Sequence, residues 1–228
     1  MSAARLTEIM QGGGAALARR LARAGARTRA DLLRPAVFAQ LPRDAQMNVK
    51  YRPARRIPLA AARAAAAELR RRVRLGGRRA RSTVAGSVRR GEAFAADLDI
   101  LVVSADAFTT PTLAPAVRGD RLSIADVYVS GGRRVSLVLA VGDVYIRADL
   151  FRTTAEERPY ALFQYNSGRA YNIRVRAFAA RRGWRLNQYG LFIAGTGARV
   201  RGSAAVRTER GVARLLGVTP RAPADRVG

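Results

Sequence analysis

GSVRRGEAFAADLDILVV, residues 86–103, places two aspartates one residue apart in a run that otherwise reads as a buried strand. Carboxylates are depleted in strands and costly beside a core. Alternate residues of a strand share a face, so Asp97 and Asp99 project together. A third carboxylate, Asp149, lies in VYIRADLF (144–151), where Tyr145, Arg147 and Asp149 share one face. Three carboxylates on adjacent strands suit two Mg²⁺ ions about 3.5–4 Å apart, the arrangement that drives in-line phosphoryl displacement. Mg²⁺ takes one or two carboxylates plus substrate phosphate oxygens, so three aspartates suffice, with Mn²⁺ as the alternative ion.

Just upstream, Gly86 permits close backbone approach to a phosphate, and Ser87 and Arg90 can donate charge-assisted hydrogen bonds to it. The segment reads as a triphosphate cradle beside the metal site. Composition agrees with a polyanionic partner. The chain has 42 Lys+Arg against 16 Asp+Glu, a net charge of +26, which points most simply to nucleic acid. Lys50 is the single lysine. With no Cys and no His, neither a disulfide framework nor the usual zinc ligands are available, so a bound metal must be hard and carboxylate-held. The sequence predicts no membrane span and no secretory signal, hence an intracellular protein. A 49% hydrophobic fraction over 228 residues supports a folded chain with a real core.

Along the chain, LTEIM, QGGG and AALARRLARAG (6–25) read as helix, Gly-rich turn and helix, with loop amides at Gly12 and Gly14 able to face a phosphate. Thr28 caps a third helix that Pro35 stops. Pro53 and Pro58 punctuate an Arg-rich linker. Residues 59–75, LAAARAAAAELRRRVRL, predict a strong helix ended by Gly76 and Gly77. Strand-like runs follow: STVAGSV, DLDILVV, RVSLVLAV and DVYIRADLF. Helix returns after Pro159 in AYNIRVRAFAARRG, with a short strand-like segment at YGLFIAG.

These motifs resemble the family X DNA polymerases. GSVRRG followed by DLD matches their nucleotidyltransferase signature. GARTRADLL and RRIP look like the helix-hairpin-helix unit and palm entry of the polymerase beta group. NIRVRAFAARRGWRLNQYGLF and TERGVARLLGVTPRAPADR resemble the C-terminal nucleotide-selecting unit. The likeness is nearest to small viral members, which would place the protein in a host cytoplasm and virion. The resemblance implies an α+β fold: a nucleotidyltransferase palm with an antiparallel or mixed sheet, flanked by a helix-hairpin-helix subdomain and a C-terminal α+β subdomain. The expected boundaries are 1–56, 57–157 and 158–228.

It also implies a monomeric DNA-directed DNA polymerase acting on gapped or primer–template DNA with dNTPs, in base excision repair. Asp97 and Asp99 would bind both metals, and Asp149 the catalytic one while helping deprotonate the primer 3′-hydroxyl. Gly86, Ser87 and Arg90 would hold the triphosphate. Tyr165 would face the deoxyribose, Asn172 the minor-groove edge of the incoming base, and Arg176 the template; Gly12 and Gly14 would contact DNA. A separate N-terminal lyase domain is not expected. Three departures stand out. The sugar-facing motif reads Gln164-Tyr165-Asn166-Ser167, and Phe151 and Gln188 replace an Arg and a Glu that pair during closure. Two rivals stay open: a template-independent or RNA-directed nucleotidyltransferase, and a non-catalytic basic binder.

Overall fold

The computed structural model describes residues 3–11, 14–75, 78–107 and 122–227. The chain opens with α1 (Ala3–Met10) and α2 (Gly14–Arg23). α3 (Arg29–Leu33) follows, where Thr28 and Asp31 form a reciprocal capping box. This box satisfies two otherwise orphaned amides. Pro35 both stops α3 and opens α4 (Pro35–Phe38), because its fixed φ and missing N–H suit a first helical position. α5 (Arg43–Tyr51) was not expected from the sequence. Its buried residues, Ala45, Met47 and Val49, alternate like a strand. The helix is covered on two sides: Ala45 and Val49 join the core of the N-terminal helices, and Met47 packs on Val138.

β1 (Ile57–Pro58) leads into α6 (Leu59–Arg72). The expected helix ends three residues early: Val73 is extended and β2 (Arg74–Leu75) pairs with β3 (Arg78–Arg79). β-branched Val73 is at its ease in extended backbone, and it is fully buried in the core. Gly76 and Gly77 lie outside the described residues. β4 (Ser82–Ala85) is followed at once by α7 (Gly86–Arg90), so the expected strand STVAGSV breaks at Gly86, whose φ is +66°. Then come β5 (Phe94–Ala95), β6 (Leu98–Val103), β7 (Ser123–Gly131), β8 (Arg134–Val141) and β9 (Val144–Thr153). α8 (Arg158–Tyr165), α9 (Arg169–Ala180), β10 (Trp184–Asn187), β11 (Gly190–Ile193) and α10 (Glu209–Leu216) complete the chain.

The main sheet runs β4-β6-β9-β8-β7. It is mixed: β6 and β9 are parallel, and the other pairs antiparallel. The fold is α+β with a mixed sheet, as the sequence led us to expect. Strand alternation sorts its two faces. Leu98, Ile100 and Val102 of β6, Val135, Leu137 and Leu139 of β8, and Ile146, Ala148 and Leu150 of β9 share one core with Ala62, Ala66 and Leu69 of α6. By the two-residue period, Asp99, Ser136, Arg147, Asp149 and Phe151 belong to the opposite face. Separate buried clusters hold the N-terminal helices together and α9 against β10, β11 and α10. Among the described residues no helix is long and apolar enough to cross a membrane.

Candidate active site

The register of the parallel pair β6–β9 sets Asp99 beside Asp149, with Ala85 and Ser136 as their outer neighbours. Asp97 stands in the bend that precedes β6. One carboxylate oxygen from each of Asp97, Asp99 and Asp149 lies within 4.8 Å of the others. Asp149 is buried, and the other two are half-buried. Burial, reinforced by Asp97 and Asp149, pushes the Asp99 carboxyl up to about 7. Burial and then Asp149 raise Asp97 as well. Carboxylates crowded this way favour a bound cation over mutual repulsion. The donor set is oxygen only, which fits a hard divalent ion.

Gly86 has a steric reason to lack a side chain. A Cβ there would lie 2.1 Å from Asp99 Oδ2, and its φ is left-handed besides. The strand thus turns into α7 directly over Asp99, carrying Ser87 in the first turn and Arg90 at the end. Arg90 donates from Nε to Glu92 Oε1 at 2.7 Å and from Nη1 to the Tyr165 carbonyl at 3.3 Å. A bond therefore links the phosphate-cradle segment to the end of α8.

Two arginines serve Asp149. Arg134 Nη2 donates to both its oxygens, at 3.2 and 3.1 Å, and Arg147 Nη2 to Oδ2 at 3.0 Å. Arg147 shares the face that the sequence indicated; Arg134 and the buried Ser136 were missed. Their signal was the same alternation, since Arg134 and Ser136 occupy the polar positions of RVSLVLAV.

The expected nucleotide-selecting residues surround the end of α8. The Tyr165 ring stacks on Phe151, with centroids 4.3 Å apart and planes 22° from parallel. Burial pushes its hydroxyl up, with Tyr189 and Asp99 adding to the effect. Phe151, where the resemblance leads one to expect an arginine, makes this ring contact instead. Gln188 lines a cavity of about 220 Å³ with Phe151, Tyr165, Tyr189 and Arg134. Asn172 is turned inward: its Nδ2 donates to the carbonyls of Gln164 and Ser167, both at 2.9 Å. Its Oδ1 is buried without a hydrogen-bond partner among the described residues. Arg176 Nη2 donates to Gln164 Oε1 at 2.7 Å. Gly14 opens α2 with φ +69° and open space around its missing Cβ, so conformation alone accounts for it. Gly12 lies outside the described residues.

Residues 152–227 match the family model described as DNA polymerase beta thumb. Over 142 residues, 62% of this chain and 79% of the relative, the chain is 34% identical to a repair DNA polymerase X of African swine fever virus, isolate Pig/Kenya/KEN-50/1950. The same identity and coverage hold for the protein of isolate Tick/Malawi/Lil 20-1/1983, and 32% identity for that of isolate Tick/South Africa/Pretoriuskop Pr4/1996. This chain belongs to the repair DNA polymerase X family. As a family X polymerase it is a nucleotidyltransferase of the DNA-directed DNA polymerase class, an activity that uses DNA, deoxynucleoside triphosphates and a divalent cation. The carboxylate cluster and the match to the thumb model occupy different parts of the polymerase: Asp97, Asp99 and Asp149 all precede the matched residues.

Proposed function

We propose that the Asp97–Asp99–Asp149 cluster is the centre at which a deoxynucleoside monophosphate is joined to a primer 3′-hydroxyl with release of pyrophosphate. One observation carries the reading: three carboxylates converge within 4.8 Å, two from neighbouring parallel strands and one from the bend before β6, under a glycine whose side-chain space Asp99 occupies. In this reading Asp97 and Asp99 hold two Mg²⁺ ions, with Mn²⁺ able to substitute, and Asp149 holds one of them. Cations there would neutralise charge on the attacking and leaving oxygens.

The chain's own residues do the rest. Asp149 accepts the proton of the 3′-hydroxyl, while Arg134 and Arg147 balance its charge. Ser87 and Arg90 bind the outer phosphates, and Arg90 exchanges Glu92 for phosphate oxygens in doing so. Tyr165 faces the sugar. For Asn172 to read the base edge, its amide must leave the Gln164 and Ser167 carbonyls, so nucleotide binding rearranges the α8–α9 turn. Arg176 then meets the template, and Gly12 and Gly14 lie against backbone phosphate. We assign residues 1–56 to DNA binding, 57–157 to the palm and 158–228 to nucleotide selection, in a monomer that fills short gaps during base excision repair.

Extension of a primer with and without template, using gapped and ungapped DNA and both sugar types, tests the reading. Templated dNMP addition favouring a short gap is expected. Template-independent addition, or preference for an RNA template, would replace it with a different nucleotidyltransferase.

A further inference from the structure

Edge strand β7 is where the N-terminal helices meet the sheet, and Asp126 is the residue they converge on. Register shifts flank it, between Ile124 and Asp126 and between Val127 and Val129. Its carboxylate, 19% exposed, collects four donors. Arg43 Nη2 and the Val127 amide reach Oδ1 at 2.9 and 2.7 Å. The Tyr51 hydroxyl and Lys50 Nζ reach Oδ2 at 3.0 and 3.3 Å. Three of these come from α5, 75 to 83 residues earlier in the chain. Burial opposes ionisation, yet hydrogen bonds from Val127, Tyr51 and Lys50 hold the carboxyl below its usual value.

Other contacts brace the same joint. Arg43 also donates from Nε and Nη2 to the Val127 carbonyl, at 3.2 and 3.0 Å. The Tyr51 ring meets Tyr145 edge-on at 5.0 Å, and the Ala54 amide donates to the Tyr145 carbonyl at 2.8 Å. An edge strand otherwise offers unpaired backbone groups; here Arg43 takes up the Val127 carbonyl and Tyr51 that of Ala125. Isolated exposed ion pairs contribute little. A half-buried carboxylate satisfied by four donors in fixed directions is different in kind, because it sets an angle as well as an energy.

We infer that Asp126 is a positioning residue that fixes the angle at which the N-terminal helical unit holds DNA relative to the carboxylate cluster. β7 lies two strands from β9 in the sheet order, roughly 10 Å at ordinary strand spacing. Rotation at this joint therefore displaces DNA held by the helices relative to the carboxylates, so a loosened joint must be re-ordered each time DNA binds, a cost that falls on KM. The inference about DNA rests on the polymerase reading; the inference about the joint does not.

The absence of cysteine gives a clean experiment. Ala16→Cys and Ala67→Cys, both exposed, carry spin labels on the helical unit and on α6. Their distance distribution, measured without DNA, should be narrow in the parent and broaden at least about twofold with Asp126→Ala. Asp126→Glu should restore most of the narrowness. In primer extension on DNA long enough to reach the helices, Asp126→Ala should raise KM for DNA about five- to tenfold and leave kcat within about twofold. Asp126→Asn, whose single oxygen can keep the Val127 bond while its NH2 can only donate to the Tyr51 hydroxyl, should fall between and serves if the alanine variant does not fold. An unchanged distribution in both variants, or a broadened one with KM unmoved, would overturn the inference. Because the distances are read without DNA, failure of the polymerase reading would leave that arm standing.

Discussion

The N-terminal helices join the sheet at edge strand β7 around a satisfied carboxylate, Arg43 and Lys50 on Asp126, with Met47 and Tyr51 packed beside it. The C-terminal unit meets the sheet at the carboxylates, and there ring lies on ring: Phe151 on Tyr165. Phe151 stands two residues beyond Asp149 on β9. The difference follows from what each joint adjoins. Beside three crowded carboxylates a further ion pair would compete with Asp99 and Asp149 for partners, whereas an aromatic contact leaves their charge untouched. The cations that do lie there, Arg134 and Arg147, are committed to Asp149. The remote joint has no such constraint and uses a satisfied carboxylate. Lys50 is held there with its pKa raised, chiefly by Tyr51 and also by Asp126, so the chain's single lysine remains an ammonium and is a poor Schiff-base amine.

The sharpest way to separate the site from its two joints is Asp99→Asn. Primer extension should fall at least about 10⁴-fold, while the gel-shift Kd for DNA stays within about threefold, because affinity rests on many arginines. Next in size is the salt response. With about 5–8 phosphates neutralised, log K against log salt should have a slope of about −4 to −7, a loss of roughly 250- to 16,000-fold across a fourfold change in salt. A slope near −1 would mean that the +26 charge lies away from the DNA.

Gly86→Ala attacks the junction of β4 and α7. Its Cβ collides with Asp99 Oδ2 in a left-handed backbone, so we expect a loss of about 1–3 kcal/mol in chemical denaturation and a drop in turnover of about 10–100-fold. Restored turnover in a Gly86→Ala enzyme of normal stability would remove that contact from the account. The aromatic joint gives the smallest effect. Tyr165→Ala should raise ribonucleotide relative to deoxynucleotide incorporation, and Phe151→Ala should shift it the same way by less than about tenfold, the scale of one aromatic pair. If Phe151→Ala instead weakens DNA binding as Asp126→Ala does, the two joints are not distinct.

Much of the site was legible because strand alternation is a strong physical signal. Asp97, Asp99 and Asp149 stood out as carboxylates in apolar runs, and the sheet register brings them together. The same alternation held Arg134 and Ser136, but a polar residue on a strand reads as solvated until a neighbour is known. α5 was hidden by its two-sided burial: Ala45, Met47 and Val49 face different partners, so the apolar spacing reads as two, not 3.6. β7 was hidden by Asp126, a residue that disfavours strands and that draws three of its four donors from α5, far away in sequence. Gly86 read as a flexible cradle; its tight approach to Asp99 depends on the pairing of β4 with β6, which no local pattern specifies.

Calorimetric titration of Mn²⁺ into the DNA-free protein between pH 5.5 and 8.5 tests the central claim, that the three carboxylates hold divalent cations. With Asp99 at about 7 against an unfolded value of about 3.9, the folded protein binds the extra proton between those values. Metal-free stability should therefore fall as pH rises through 7, and cation affinity should rise as the proton leaves. Mn²⁺ binding should tighten across that range, raise the melting temperature more at pH 8 than at pH 6, and be lost in Asp149→Asn. Binding of equal strength at both ends of the range, or binding that survives Asp149→Asn unchanged, would contradict it.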